Sequence, residues 1–398
     1  MKSLLLELKK NESLKWIGII FCLEHLLTVF FWSTERPLSL ILTNPSFRIC
    51  WPHWESCSSL AWNHGSVRAL LILYLALALF SVILWITNSY RAAILGTLST
   101  LILKNFIIAQ DYRLGGNYHY IPTLLCLAFL ILPHRTRTLP FFFWMIYFTA
   151  GILKIDHQWL SGAAINERLF PSFVIQIGVW YVLVLEIIFS FFIFLKNRNL
   201  FWFFFLQIFL FHLFSWHLTR FFYPSVMLLM LSILVLLRDI EKPSWGIIEV
   251  REFFREPTIL AAVSIFIFLQ LPQYYLPGKA ALTGQGRSFA LIMYDGRTDC
   301  QPHLSIWKNN QIKEELPLTA PWLITRIKCD PIIYKQLAER VCQWGKKDDR
   351  VEQIDLHLPI KYENEKEYRS IVSVNDICNK QLFYSNFFPN YWIRSLND

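Results

Sequence analysis

The chain has 398 residues, 55% of them hydrophobic and 17% aromatic, with only 17% charged, a net charge of +9 and a positive mean hydropathy. An ordinary soluble domain carries about 25% charged residues, so the composition predicts a membrane protein and excludes a water-soluble multidomain enzyme, a disordered chain and a small disulfide scaffold. The basic residues lie in short loops between apolar stretches and form no stripe or arm, which excludes nucleic acid as a partner and fits a bilayer instead.

A spanning helix needs about 20 mostly apolar residues. In chain order the candidate runs are Leu14 to Trp32, Val67 to Thr87, Ala92 to Gln110, Ile121 to Pro133, Pro140 to Leu153, Phe173 to Leu195, Leu200 to Trp216, Phe221 to Leu237 and Thr258 to Leu271. The fourth, fifth and ninth are short; they either borrow flanking residues or stay away from lipid along part of their length. No small-residue cleavage site ends the first run, so it reads as a span and not as a signal peptide. Charged residues make up about 13% of positions 1–271 and about 25% of positions 272–398, the soluble-domain average. The expected fold is an all-α polytopic membrane bundle (1–271) of eight or nine transmembrane helices, followed by a small extracytoplasmic α+β domain (272–398).

Basic residues favour the cytoplasmic side. With Lys9, Lys10 and Lys15 in the cytoplasm, Arg91, the tract His134 to Arg137, the tract Lys196 to Arg198 and the loop Arg238 to Glu256 fall on the same side. The loop Ser33 to Ser66, the segments Asp111 to Tyr120 and Lys154 to Ser172, the turn near Arg220 and the tail then lie outside, with single arginines such as Arg36, Arg48 and Arg168. Cys22 and Cys126 sit in apolar runs and read as core residues. Cys50 and Cys57 in the first outer loop, with Cys300, Cys329, Cys342 and Cys378 in the tail, are available for disulfides, one of which could tie loop to tail; six cysteines allow 15 pairings. No His/Cys pattern suits a metal. The tail reads as short strands, such as Ser288 to Tyr294 and His303 to Lys308, and one helix near Ile332 to Trp344.

Ionisable groups in apolar spans are costly to bury and mark function by default. They are Glu24, His25, Lys104, Arg113, His119, Lys154, Asp156, Glu186, His212, His217 and Arg220. Arg113, Asp156 and Arg220 stand at span ends, where a snorkelling charge suffices, and Glu24 and His25 can pair across helices. The histidines, each alone, read as hydrogen-bonded structural residues. Glu186 has no other charge within a turn and must be protonated, paired or turned to a polar cavity. Lys154 is either an interfacial anchor or a base held in a cavity; it follows small residues that permit close helix approach and precedes Trp159, an interfacial anchor.

Four stretches carry a resemblance. Tyr147 to Gly162 (YFTAGILKIDHQWLSG), Gly115 to Leu125 (GGNYHYIPTLL), Val182 to Phe192 (VLVLEIIFSFF) and Phe211 to Leu228 (FHLFSWHLTRFFYPSVML) resemble, in order, elements of the vitamin K-dependent gamma-carboxylase family and of the wider group sharing its horizontally transferred transmembrane (HTTM) domain. The resemblance implies a membrane lyase in which Lys154 deprotonates reduced vitamin K or another quinol. Oxygen then adds to form an epoxide, with possible coupling to carboxylation of a glutamate by carbon dioxide, and no metal is required. It implies His119 as the residue that assists the quinol, and His212 and Glu186 as cavity-facing partners. The order Asn117, Tyr118, His119, Tyr120 differs from the family's Asn-His-Tyr and brings Tyr118 to the histidine position in strict register. A protein or peptide substrate is implied on the extracytoplasmic side. The other reading is a non-carboxylating HTTM-domain scaffold, lipid-binding or transport-associated protein.

Overall fold

All nine apolar runs are helical: Glu12–Ser33, His64–Ile86, Tyr90–Ala109, Asn117–Ile131, Arg135–Leu153, Ser172–Leu183 with its continuation to Phe194, Arg198–Thr219, Phe222–Ile240 and Pro257–Gln270. The computed structural model describes residues 2–44, 46, 48–163, 165, 170–240, 247–292, 298–308, 311–319, 323, 327–345 and 351–395. Arg168 and part of the Arg238 to Glu256 loop lie outside these. Six of the helices are long and apolar enough to cross a membrane. The remaining three, Asn117–Ile131, Arg135–Leu153 and Phe222–Ile240, are largely interior. Leu139, Phe142, Phe143, Val226, Met227, Met230 and Leu231 are all fully buried. Helices covered by other helices need not present 20 apolar residues to lipid, which is why two of these runs read as short.

Glu12–Ser33 lies at the centre of one half, against His64–Ile86 and Phe222–Ile240, and His64–Ile86 packs in turn on Tyr90–Ala109. The outer faces are as apolar as the inner ones: Ile72, Phe80, Ile83, Ile102 and Ile177 are all exposed. An apolar surface of this extent belongs against other apolar matter, since soluble monomers expose only small patches.

The basic tracts gather at one end. Lys9 and Arg91 line one surface cavity, Arg135 pairs with Glu7 at 2.8 Å, His134 lies 3.7 Å from Glu256, and Arg238 donates to the carbonyls of Leu195 and Lys196. At the opposite end the loop after the first helix winds around Arg48, which is buried and donates to the carbonyls of Leu42, Cys57 and Leu60. Arg113, expected to snorkel, is instead buried there and pairs with Asp111 at 2.8 Å, because the loop folds over the span end and excludes water.

The tail builds an antiparallel sheet from β1 (Thr298–Cys300), β2 (His303–Lys308), β3 (Gln311–Pro317), β4 (Gln353–Tyr362) and β5 (Arg369–Val374). The long strand β4 takes β5 on one edge and both β1 and β2 on the other, with β3 outside β2. Ile354, Leu356, Leu358, Ile360 and Tyr362 alternate inward along β4, the period of two that a half-buried strand requires. They pack with Ile333 and Leu337 of the helix Pro331–Gly345. The strand expected at Ser288 to Tyr294 is not formed over its described part, residues 288–292. The Leu291 and Ile292 amides donate instead to side chains of the bundle, Gln270 and Asn117. Disulfides join Cys50 to Cys57, Cys300 to Cys329 and Cys342 to Cys378, while Cys22 and Cys126 are free and buried. None of the three ties loop to tail. That seam is made by hydrogen bonds: Gln336 both accepts from the Cys50 amide and donates to its carbonyl, each at 2.7 Å, and the Tyr112 hydroxyl donates to Asp330 at 2.8 Å.

Candidate functional site

Lys154 caps the C-terminus of Arg135–Leu153, where it is buried. Its partner arises from a local irregularity in the facing helix. After Leu183 the backbone widens into a π-helical turn, Val184–Ile188, and then tightens into a 3₁₀ segment, Phe189–Phe194. Such turns are rare and concentrate at functional sites; this one carries Glu186. Gly151 lets the two elements meet, since a Cβ there would fall 2.5 Å from Ile187 Cγ1 and 3.2 Å from Glu186 Cβ. The result is a contact of 2.5 Å between Lys154 Nζ and Glu186 Oε2, with Glu186 wholly buried. Glu186 Oε1 has no hydrogen-bond partner among the described residues.

The lysine faces aromatic rings, at 5.4 Å from the Trp159 ring and 6.0 Å from that of Phe211. Trp159, expected as an interfacial anchor, is instead buried, its indole donating to the Val179 carbonyl. Asp156 remains partly exposed and caps the short helix His157–Leu160, so it does not compete for the lysine.

Beside Lys154 opens a cavity of about 860 Å³, within the range of small-molecule sites. Its walls are mainly apolar, with Trp159, Phe211, Phe222 and Tyr223 among them, and its polar rim includes Glu35, Arg36, Asn117, Tyr118 and Arg220. Burial raises the pKa of the Glu35 carboxyl above its ordinary value, against the pull of Arg220 and Arg36. Val174, Tyr181 and Leu210 line the cavity and are exposed, as are Thr219 and Arg220 at its polar end, so the exposed part of its lining runs along Ser172–Leu183 and Arg198–Thr219. The Tyr181 hydroxyl donates to Gln207 at 2.7 Å between these two helices.

The expected site residues divide into two groups. Lys154, Glu186 and His212 come together: His212 Nε2 lies 3.0 Å from the Tyr147 hydroxyl, its Nδ1 has no described partner, and Phe211 beside it faces the lysine. Lys154 and Tyr118 line the cavity; His119 does not, and neither do His212 and Glu186, which were expected to face it and are instead fully buried. The His119 ring is enclosed by Phe31, Trp32, Tyr118 and Phe222, and neither nitrogen has a hydrogen-bond partner among the described residues. It stands behind the cavity wall, since Phe31, Tyr118 and Phe222 are themselves lining residues.

A separate ionic cluster lies within the bundle. Lys104 donates to Glu24 at 2.7 Å and Thr28 to the same oxygen at 2.9 Å, while His25 Nδ1 is 2.7 Å from the Tyr74 hydroxyl. The pairing of Glu24 across helices is thus with Lys104. Sequence reasoning missed Tyr147 and Tyr74, since a tyrosine in an aromatic-rich span carries no signal of its own. Among the described residues no three potential metal ligands cluster. No family model matches the chain, and no curated protein or solved structure matches it.

Proposed function

We propose that the protein is a multi-pass membrane enzyme that admits a quinol from the bilayer through the lateral cavity and deprotonates it at Lys154. The observation that carries this reading is a buried lysine, paired to a carboxylate with a spare oxygen, on the wall of an aromatic-lined cavity whose lining includes the exposed apolar residues Val174 and Leu210. An ion pair in an apolar medium and its neutral amine and acid form differ by one proton shift along the 2.5 Å contact. In the neutral form the amine is a base, and a quinol hydroxyl is within its chemistry. Trp159 and Phe211 of the lining would flank the substrate ring and Tyr118 and Asn117 would meet its polar edge, while Tyr147 and His212, fully buried and outside the lining, would act only through it. Oxygenation of the quinolate to an epoxide, and its coupling to glutamate carboxylation, are what the resemblance to the gamma-carboxylase family adds.

The orientation in this reading has the N-terminus in the cytoplasm and the tail outside. Its support is the gathering of basic tracts at one end and of three disulfides toward the other. A second reading, an HTTM-domain scaffold or lipid-binding protein without turnover, is favoured by two observations: Lys154 is already neutralised by Glu186, and His119 is walled off from the cavity.

The test is epoxide formation from vitamin K hydroquinone and oxygen by the purified protein, set beside Lys154→Ala and His119→Ala. The expected result is turnover abolished by Lys154→Ala and only reduced by His119→Ala. Absence of both turnover and quinol binding would leave the second reading.

A further inference from the structure

The last fifteen described residues carry an aromatic loop that the site does not use. Phe383, Phe388 and Tyr391 are 69, 72 and 75% exposed, unusual for side chains of this kind, and Pro389 between them is exposed as well. The exposure does not come from looseness. Asn390 fastens the loop by accepting from the Ser385 amide and donating to the carbonyls of Ser385 and Phe388, and its own amide donates to Gln285. The Ser385 hydroxyl accepts from the amides of Phe387 and Phe388, and the Tyr391 hydroxyl donates to the Gln381 carbonyl. A rigid loop holding three large apolar side chains outward has the form of an anchor.

Its placement says against what. Phe387 stacks on Phe268 at 5.6 Å, and its carbonyl accepts from the Tyr275 hydroxyl at 2.7 Å. Phe268 belongs to the helix Pro257–Gln270 and is itself exposed, in one outward set with Ile265 and Leu271, followed by Tyr274 and Tyr275. The loop therefore prolongs the outer apolar flank of that helix without a break. Lys380 and Arg394, both exposed, bracket it.

We infer that the loop Gln381–Tyr391 is a membrane-interface wedge, through which the tail domain rests on the lipid surface with Phe383, Phe388 and Tyr391 among the headgroups and upper acyl chains. Aromatic side chains favour this layer, with Lys and Arg meeting the phosphates. The inference rests on the membrane reading above, and the experiment separates the two. Nitroxide labels at Phe388→Cys, Tyr391→Cys, Ile265→Cys and Lys366→Cys, one per sample, are compared in the full chain reconstituted into phosphatidylcholine nanodiscs, by power saturation with oxygen and with a nickel chelate. All four positions are exposed, so labelling leaves the core intact. The expected result is greater collision with oxygen than with nickel at 388, 391 and 265, and the reverse at 366. Water-like values at 388 and 391 beside lipid-like values at 265 overturn the wedge alone and point to a protein partner; water-like values at all four overturn the membrane reading with it.

Discussion

Glu186 holds its carboxylate 2.5 Å from the Lys154 ammonium where neither group has water to fall back on, an isolated pair in an otherwise apolar span. What holds that contact can be separated from what it does. Removing one partner of a buried pair leaves an uncompensated charge and costs about 3 to 5 kcal/mol, whereas replacing both with apolar groups is often near neutral. Lys154→Met is therefore expected to lower Tm in detergent, and Lys154→Met combined with Glu186→Leu to recover it without recovering quinol turnover. A single variant that melts with the wild type would mean that the pair does not hold these helices together. The same contrast applies to Glu24 and Lys104, with Lys104→Met expected to destabilise and Glu24→Leu added to it to repair most of the loss. Arg113 and Trp159 could not be placed from sequence for a common reason. Both stand at span ends, where composition predicts solvent, and both are covered by chain that folds back over them.

The helices themselves were readable nearly throughout, because apolar runs of this length leave the backbone few other ways to satisfy its hydrogen bonds. Their irregularities were not. Nothing in YVLVLEIIFSFF announces a π-helical turn, which arises where the chain must accommodate a neighbour. That neighbour is the close face of Gly151, whose missing side chain admits Ile187. Gly151→Ala is expected to push the two elements apart and lengthen the Lys154 to Glu186 contact. A misplacement of about 1 Å can cost about 10²-fold in rate, so under the proposed function quinol turnover should fall by that order with little change in quinol binding. Turnover at the wild-type level would show that the π-helical turn can absorb the extra carbon. The missing strand at 288–292 has a similar cause: its amides found Gln270 and Asn117, partners distant in sequence, before any neighbouring strand.

The two halves meet through Asp330, which is fully enclosed. Burial raises the pKa of its carboxyl above the ordinary value, with Arg287 and the Tyr112 hydroxyl acting in the opposite sense. The folded chain thus holds this proton to higher pH than the unfolded chain, whose aspartate titrates near ~3.9. The stability contributed is full below that pH and is lost as the pH rises through the folded value. Asp330→Asn, which cannot ionise, is expected to flatten the decline in Tm on going upward from pH 4, measured against the wild type over the same range. An unchanged slope would assign the decline to other groups. The cysteines illustrate how far sequence reaches over such distances: the six in the first loop and the tail all read as available for disulfides, but the connectivity depends on a folded tail.

The seam between loop and tail has a consequence for the order in which the protein can be made. Cys50 and Cys57 are 7 residues apart, so their bond can close as soon as the first loop emerges. Gln336, which grips the Cys50 backbone, is synthesised 286 residues later, an interval of roughly 15 to 60 s at translation rates of about 5 to 20 residues per second. For that time the nascent chain carries the loop with the Cys50 amide and carbonyl still without Gln336, and its arrival closes them.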